Sequence, residues 1–370
     1  MRKICLLLLV IMMICACSCE KPGAYADNQP ESSEVKQRPK SEASETVLAS
    51  SKHNVIYSYT LQDVVYPDQY TAVVISFLKN DKAGNVFESS FPHLPETVAK
   101  FKEEHPYTKV LAGLGGASNS DIMGVAVMDS AARKNLAETT AALVKAKNLD
   151  GVDLDWEYYS DYSECNAAYL DLAIQIRALL GDGYIISMAG QSASSFYNEA
   201  SCIKMMNEVL DYTSVMTYDF DYNARKGCYI GYNGNFTSLK NVMNGYANVV
   251  DKSKLVVGLP FYGLKYTMEE SKLYYRGDDA VRYEGDLSYS KILGEIGELA
   301  ANPQAYDDDN GVALAYKRKN MYVFDNATTV TAKTKWACEN GYGGMMAWVA
   351  NADDAIGTLG KSVTIVLNEY

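Results

Sequence analysis

Eight short β-like runs, most of them separated by a helical stretch, limit what this chain can fold into. They fall at Asn54–Tyr59, Thr71–Phe77, Lys109–Leu114, Gly151–Trp156, Tyr184–Met188, Tyr212–Tyr218, Lys254–Phe261 and Gly343–Val349. Several, such as Thr71–Phe77 and Lys254–Phe261, are continuously apolar rather than alternating. A strand that is apolar on both sides needs cover on both sides, as a parallel strand between helices has. The stretches between the runs read as helices. Ser130 is placed to cap a helix over Ala131–Lys147, with Leu136, Leu143 and Val144 on one face and Asn148 near its end. Asn166–Leu180 sets Tyr169, Leu172, Ala173, Ile176 and Leu180 at helical spacing, and Gly181 stands where a helix turns left-handed to stop. The pattern predicts an α/β fold, a (β/α)8 TIM barrel, although an open doubly wound sheet has the same periodicity. The seventh and eighth runs lie further apart than one helix requires. Leu264–Tyr322 therefore predicts a small α+β insertion between strands 7 and 8.

The first residues read as a targeting segment. Arg2 and Lys3 precede the apolar stretch Ile4–Ala16, which is shorter than the roughly 20 residues a spanning helix needs. Ile14-Cys15-Ala16-Cys17 resembles a bacterial lipobox, which implies a signal peptide over 1–16 and lipidation of Cys17. The mature protein is then expected to be secreted and tied to a membrane by its acyl chains, in the cell envelope on the periplasmic or cell-surface side. A plain cleaved signal with chance cysteines is the competing reading, and Cys19 is a second acceptor with Ala16 in the aliphatic position. Residues 17–51 are rich in Glu, Lys, Ser, Pro and Ala and predict a disordered tether, with the globular domain over 52–370.

The balance of 34 Lys and Arg against 46 Asp and Glu gives a formal charge of −12, the wrong sign for nucleic acid. Cys165, Cys202, Cys228 and Cys338 show no zinc-ligand spacing, and their pairing is left open. The 29 tyrosines suit a core and also the stacking of flat rings on sugar faces.

The fourth run carries the chemistry. Side chains alternate along a strand, so Asp153, Asp155 and Glu157 share one face of Gly151–Glu157, with Val152, Leu154 and Trp156 on the other. Three carboxyl groups aimed at a barrel axis cannot all ionise cheaply, so at least one is expected to hold its proton at neutral pH. A protonated carboxylic acid is what protonates a leaving glycosidic oxygen, and Glu157 sits nearest the mouth where barrel active sites form. The same cluster also fits a Mg²⁺ or Ca²⁺ site, or a buried structural network.

Asp150-Gly151-Val152-Asp153-Leu154-Asp155-Trp156-Glu157 matches the DGxDxDxE signature of glycoside hydrolase family 18, the chitinases and related endo-β-N-acetylglucosaminidases. Gly113-Leu114-Gly115-Gly116 resembles the family's SxGG turn with Gly in place of Ser. Met216-Thr217-Tyr218-Asp219 matches MxYD, Leu259–Gly263 resembles the PFYG strand, and Gly343–Trp348 resembles the eighth strand. The resemblance spans roughly residues 53–362. It implies a retaining, substrate-assisted hydrolysis with no metal ion or cofactor, acting on an oligosaccharide or glycan that contains N-acetylglucosamine. Glu157 is then the acid/base, Asp155 orients the 2-acetamido group, Asp153 partners Asp155, and Tyr218 holds the acetamido oxygen. Trp348 lies beneath the sugar, Asp219 and Met216 line the same subsite, and Tyr262 supports it from behind. Gly115 and Gly116 are expected to serve backbone geometry.

Two departures shape the expected substrate. Tyr159 follows Tyr158 where chitinases usually place Pro, and tryptophan occurs only at Trp156, Trp336 and Trp348. Trp156 is expected to face the helices and Trp336 to lie in the helix before the eighth strand, which leaves no surface track for crystalline chitin. Tyr222, Tyr229 and Tyr232 are candidates to extend a groove. The resemblance leaves three functions: hydrolysis of β-1,4-linked N-acetylglucosamine oligomers, cleavage of N-glycan cores, and a non-catalytic surface glycan-binding barrel.

Overall fold

The structure, a computed structural model, describes residues 47–87, 94–157, 163–220, 230–268, 281–307 and 311–370. The expected leader, Cys17 and most of the tether lie outside these residues, as do Tyr158, Tyr159, Tyr222, Cys228 and Tyr229.

Strands β1 (His53–Ser58), β2 (Ala72–Leu78), β3 (Lys109–Gly115), β4 (Gly151–Asp155), β5 (Ile185–Gly190), β6 (Tyr212–Val215) and β7 (Leu255–Pro260) come first. They are followed by β8 (Tyr262–Met268), β9 (Val281–Ser288), β10 (Ala305–Asp307), β11 (Val312–Lys317), β12 (Asn320–Phe324) and finally β13 (Gly344–Trp348). The first seven and β13 pair in parallel and close into an eight-stranded barrel. The open doubly wound alternative is thereby excluded. The uninterrupted apolar runs have their physical reason here, since Val73, Val74, Val256 and Val257 are all fully buried between the barrel interior and the helices.

Helices α1 (Leu94–Glu104), α2 (Ser120–Met128), α3 (Ser130–Ala146), α4 (Ser163–Leu180), α5 (Ser194–Tyr197), α6 (Ala200–Lys204) and α7 (Phe236–Ala247) lie in the five connections from β2 to β7. α8 (Tyr289–Ile296), α9 (Ala327–Glu339) and α10 (Thr358–Leu367) complete the set. The cap of α3 is Asp129 rather than Ser130. Its carboxylate accepts from the Ala131 and Ala132 N–H groups at 3.0 and 2.9 Å, which draws Ser130 into the first turn. Gly181 does end α4, with φ 84° and its N–H on the Arg177 carbonyl at 2.8 Å.

Strands β8 to β12 form a separate antiparallel sheet in the order β10-β11-β12-β8-β9, the α+β insertion anticipated between the last two barrel strands. One face of this sheet buries Leu264, Tyr266, Met268, Met321 and Val323 together with Ile230 and the partly buried Tyr232. Tyr232, a candidate groove residue, thus packs in part against the insertion. The chain is already packed ahead of the expected domain start at Lys52. Asn368 accepts from the Ala49 and Ser50 N–H groups at 2.7 and 3.2 Å and donates to the Val47 carbonyl at 2.9 Å.

Candidate active site

β4 brings the acidic residues to one place. In register, Gly113 of β3 lies beside Asp153, Asp153 beside Ser187 of β5, and Ser187 beside Tyr212 of β6. Neighbours in register point the same way, so this row crosses the barrel interior. Asp153 is fully buried and accepts from the Tyr57 hydroxyl at 2.6 Å and the Ser187 hydroxyl at 2.5 Å. Burial pushes its carboxyl up to about 6, and the two hydroxyls restrain that rise by favouring the anion. Asp155 is 3% exposed. Burial first, then the charges of Glu157 and Asp153, hold its carboxyl well above the usual carboxylate range. The buried Asp155 Oδ1 has no hydrogen-bond partner among the described residues. A buried acceptor left in this state is open to a further donor.

Glu157 stands just beyond the strand and is half-buried. Its N–H donates to Ser120 Oγ at 2.8 Å, and Ser120 Oγ donates to the Gly116 carbonyl at 3.1 Å. Trp156 points the other way, as expected. Its indole N–H donates to the Ser120 carbonyl at 3.1 Å and its ring meets Tyr169 edge-on at 5.3 Å. The first residue of α2 thus grips both sides of the strand end.

Gly115 and Gly116 do serve backbone geometry. They take φ 113° and 75°, and the Gly116 N–H donates to the Asp155 carbonyl at 2.8 Å. A Cβ on Gly115 would sit 2.2 Å from that carbonyl oxygen, and one on Gly116 would sit 2.5 Å from the Phe77 ring.

Tyr218 follows β6 and is 9% exposed. Its hydroxyl is held well above the usual phenol range by burial and then by the charges of Asp155, Asp219, Glu157 and Asp153, which puts all of these groups within electrostatic reach of it. Gly258 makes room for the ring, since a Cβ there would lie 3.0 Å from Tyr218 Cε1 and 2.4 Å from the Val215 carbonyl oxygen. Met216 is partly buried against the core, with its N–H on the Gly190 carbonyl at 2.8 Å. Asp219 takes φ 58°, donates its N–H to Asn233 Oδ1 at 2.9 Å and accepts the Tyr262 hydroxyl at 2.7 Å. Tyr262 also meets Tyr218 edge-on at 6.3 Å.

Trp348 ends β13. Phe77 stacks on it at 5.6 Å, Tyr57 approaches at 5.7 Å and the exposed Tyr59 meets it edge-on at 5.9 Å. Tyr57 therefore joins this aromatic platform to Asp153. Sequence reasoning missed Tyr57, Ser187, Ser120, Phe77 and Asn233. Strand alternation places Tyr57 two residues beyond the interior Val55, but nothing local marks Ser120 or Asn233, whose partners lie far away in the chain. Among the described residues, no group of three or more His, Cys, Asp or Glu side chains is placed to hold a metal ion.

The model of glycosyl hydrolases family 18 matches residues 44–353. The chain belongs to that family. A relative, Chitinase 1 of Aphanocladium album, is 26% identical over 275 residues, covering 68% of this chain and 63% of its own length. Probable chitinase 2 of Drosophila melanogaster is 23% identical, and the chain spans 60% of it. The chain thus spans about three fifths of the length of these relatives. Among solved structures, a family 18 chitinase mutant from Cycas revoluta in complex with (GlcNAc)4 superposes with a TM-score of 0.75 at 21% identity, covering 85% of this chain and 99% of that one. A chitinase-like agglutinin from Robinia pseudoacacia superposes with a TM-score of 0.71 at 19% identity, with the same coverage of both chains. The barrel fold is thus shared by proteins with two kinds of name, and the choice between them rests on this chain's own side chains.

Proposed function

We propose that this family 18 protein hydrolyses β-1,4 bonds next to N-acetylglucosamine in chito-oligosaccharides, with retention of configuration and with the substrate's own acetamido group as nucleophile. The observation that carries the reading is the buried Asp155 Oδ1, unpartnered among the described residues and within electrostatic reach of Glu157 and Tyr218. A 2-acetamido N–H is a donor of the kind this acceptor lacks. In this mechanism Glu157 protonates the glycosidic oxygen and later activates water. Asp155 holds the acetamido N–H and balances the charge that develops as its oxygen attacks C1. Asp153, held by Tyr57 and Ser187, shares the proton balance of the pair. The Tyr218 hydroxyl, kept protonated by its acidic surroundings, donates to the acetamido oxygen. Trp348, flanked by Phe77 and Tyr57, forms the floor, with Asp219 and Met216 beside it and Tyr262 behind Asp219.

A product profile from chito-oligosaccharides, N-glycans and peptidoglycan fragments tests the proposal. Cleavage of the first set alone supports it. Cleavage of a high-mannose glycoprotein would move the activity to the endo-β-N-acetylglucosaminidases. Binding without turnover would make this a glycan-binding barrel. A thiazoline mimic of the oxazolinium ion is expected to inhibit, and a trapped glycosyl-enzyme would instead demand a carboxylate nucleophile.

For residues 1–16 we propose a cleaved leader, with lipidation of Cys17, supported by the Ile14–Cys17 pattern and the polar segment that follows. Cys17→Ser is expected to move the protein from the membrane fraction to the soluble fraction. Undiminished incorporation of a labelled fatty acid by that variant would refute lipidation at Cys17.

A further inference from the structure

Lys333 is a charged group that the chemistry above does not use, and it is fully buried. It is the one Lys or Arg in the buried set among the described residues. Its ammonium donates to Asp325 Oδ1 and Oδ2 at 2.6 and 2.7 Å, and its third proton goes to the Gly234 carbonyl at 2.6 Å. Asp325 also accepts from Thr329 Oγ1 at 2.6 Å. Asp325 follows the last insertion strand, Lys333 lies in α9, and Gly234 belongs to the segment that follows β6. Three parts of the fold therefore meet at one nitrogen. A Cβ on Gly234 would lie 2.5 Å from Asp325 Oδ2 and 2.9 Å from Lys333 Nζ, so this backbone sits directly against the pair.

The neighbouring residue carries the connection to the site. Asn233 is 2% exposed and its Oδ1 accepts the Asp219 N–H at 2.9 Å, where Asp219 takes its left-handed φ of 58°. The same segment is held once more from the insertion, since the Gly231 N–H donates to the Tyr266 hydroxyl at 2.9 Å. Asp219 in turn accepts from Tyr262, the first residue of the insertion sheet.

We propose that the buried Asp325–Lys333 pair is a positioning device for Asp219. It clamps the Gly234 backbone so that Asn233 holds the Asp219 main chain in its left-handed turn. The insertion thereby sets one wall of the sugar cleft without touching sugar through this pair. The proposal rests on the reading that Asp219 lines the sugar subsite. Removing one partner would strand a buried charge and unfold more than it informs, whereas neutralising both partners of a buried pair is commonly tolerated.

The test is Asp325→Asn/Lys333→Met, read by hydrogen exchange and by kcat/KM on chito-oligosaccharides. Exchange at Asp219 and over 230–235 is expected to accelerate at least ten-fold while the β4 and β5 amides stay protected. Unchanged exchange there would overturn the clamp, and this readout needs no activity. A wild type without turnover would count against the hydrolase reading alone. With turnover, kcat/KM is expected to fall about ten-fold, and adding Asn233→Ala should cost little more because both changes break one chain of contacts. Fully additive losses would overturn the proposal. Should the double variant fail to fold, Asn233→Ala alone, with the pair intact, is expected to give the same ten-fold loss and faster exchange at Asp219. Wild-type values in that variant would also overturn it.

Discussion

The Tyr57 hydroxyl donates to Asp153 Oδ2 at 2.6 Å, joining β1 to β4 through the barrel interior. Together with Ser187 it opposes the burial that drives Asp153 up to about 6. A hydrogen bond of this kind is worth about 1 kcal/mol, or roughly 0.7 of a pKa unit. Tyr57→Phe is therefore expected to raise the Asp153 pKa and move the pH profile of kcat/KM upward by roughly half to one unit. A profile that does not move would show that this bond does not tune the pair.

The same carboxyl makes stability depend on pH. Its folded pKa lies above the ordinary value, so the native state binds the proton more tightly than the unfolded chain does. The favourable contribution is present at low pH and is lost as pH rises from about 4 through about 6. Two units correspond to about 3 kcal/mol. Asp153→Asn is expected to flatten this fall, so denaturant melts at pH 4.5 and 7.5 should differ less than in the wild type by on the order of 2–3 kcal/mol. Equal slopes would mean that Asp153 ionises freely inside the barrel.

Gly258 gives the Tyr218 ring its space. Gly258→Ala puts a methyl 2.4 Å from the Val215 carbonyl oxygen, which is backbone and cannot swing aside. A loss of about 2–3 kcal/mol in unfolding free energy is expected, together with at least ten-fold lower kcat from the displaced ring. Wild-type kcat would remove Tyr218 from the account.

Much of this was legible in the chain, for identifiable reasons. The barrel followed from uninterrupted apolar runs, because only doubly covered strands dispense with a polar face. The acidic row followed from the two-residue period of β4. Asn233 and Lys333 were hidden because neither has a local pattern. Each acts on a group brought near by closure of the barrel or by docking of the insertion, and Asp325 lies 8 residues from Lys333 while Gly234 lies 99 away. The cap at Asp129 was missed by one residue because Asp129 and Ser130 are both good caps, and only the chain's entry angle decides between them. The packing of Tyr232 against the cluster around Leu264 and Met321 was not legible, because exposed and packed tyrosines look alike in sequence.

Trp348 should report on binding. It is half-buried among Phe77, Tyr57 and Tyr59, whereas Trp156 is 4% exposed and faces the helices. Chito-oligosaccharide is expected to shift tryptophan emission in the wild type and not in Trp348→Phe, with KM raised about ten-fold in that variant. A shift that persists in Trp348→Phe would place the sugar elsewhere.

Glu157→Gln, assayed for both turnover and affinity on one chito-oligosaccharide, weighs the proposal as a whole. Turnover is expected to fall by at least a thousand-fold, consistent with loss of general acid–base catalysis, while the dissociation constant stays within a few-fold of the wild-type value. A folded variant that keeps a tenth of the wild-type rate would contradict the assignment of Glu157 as the proton donor.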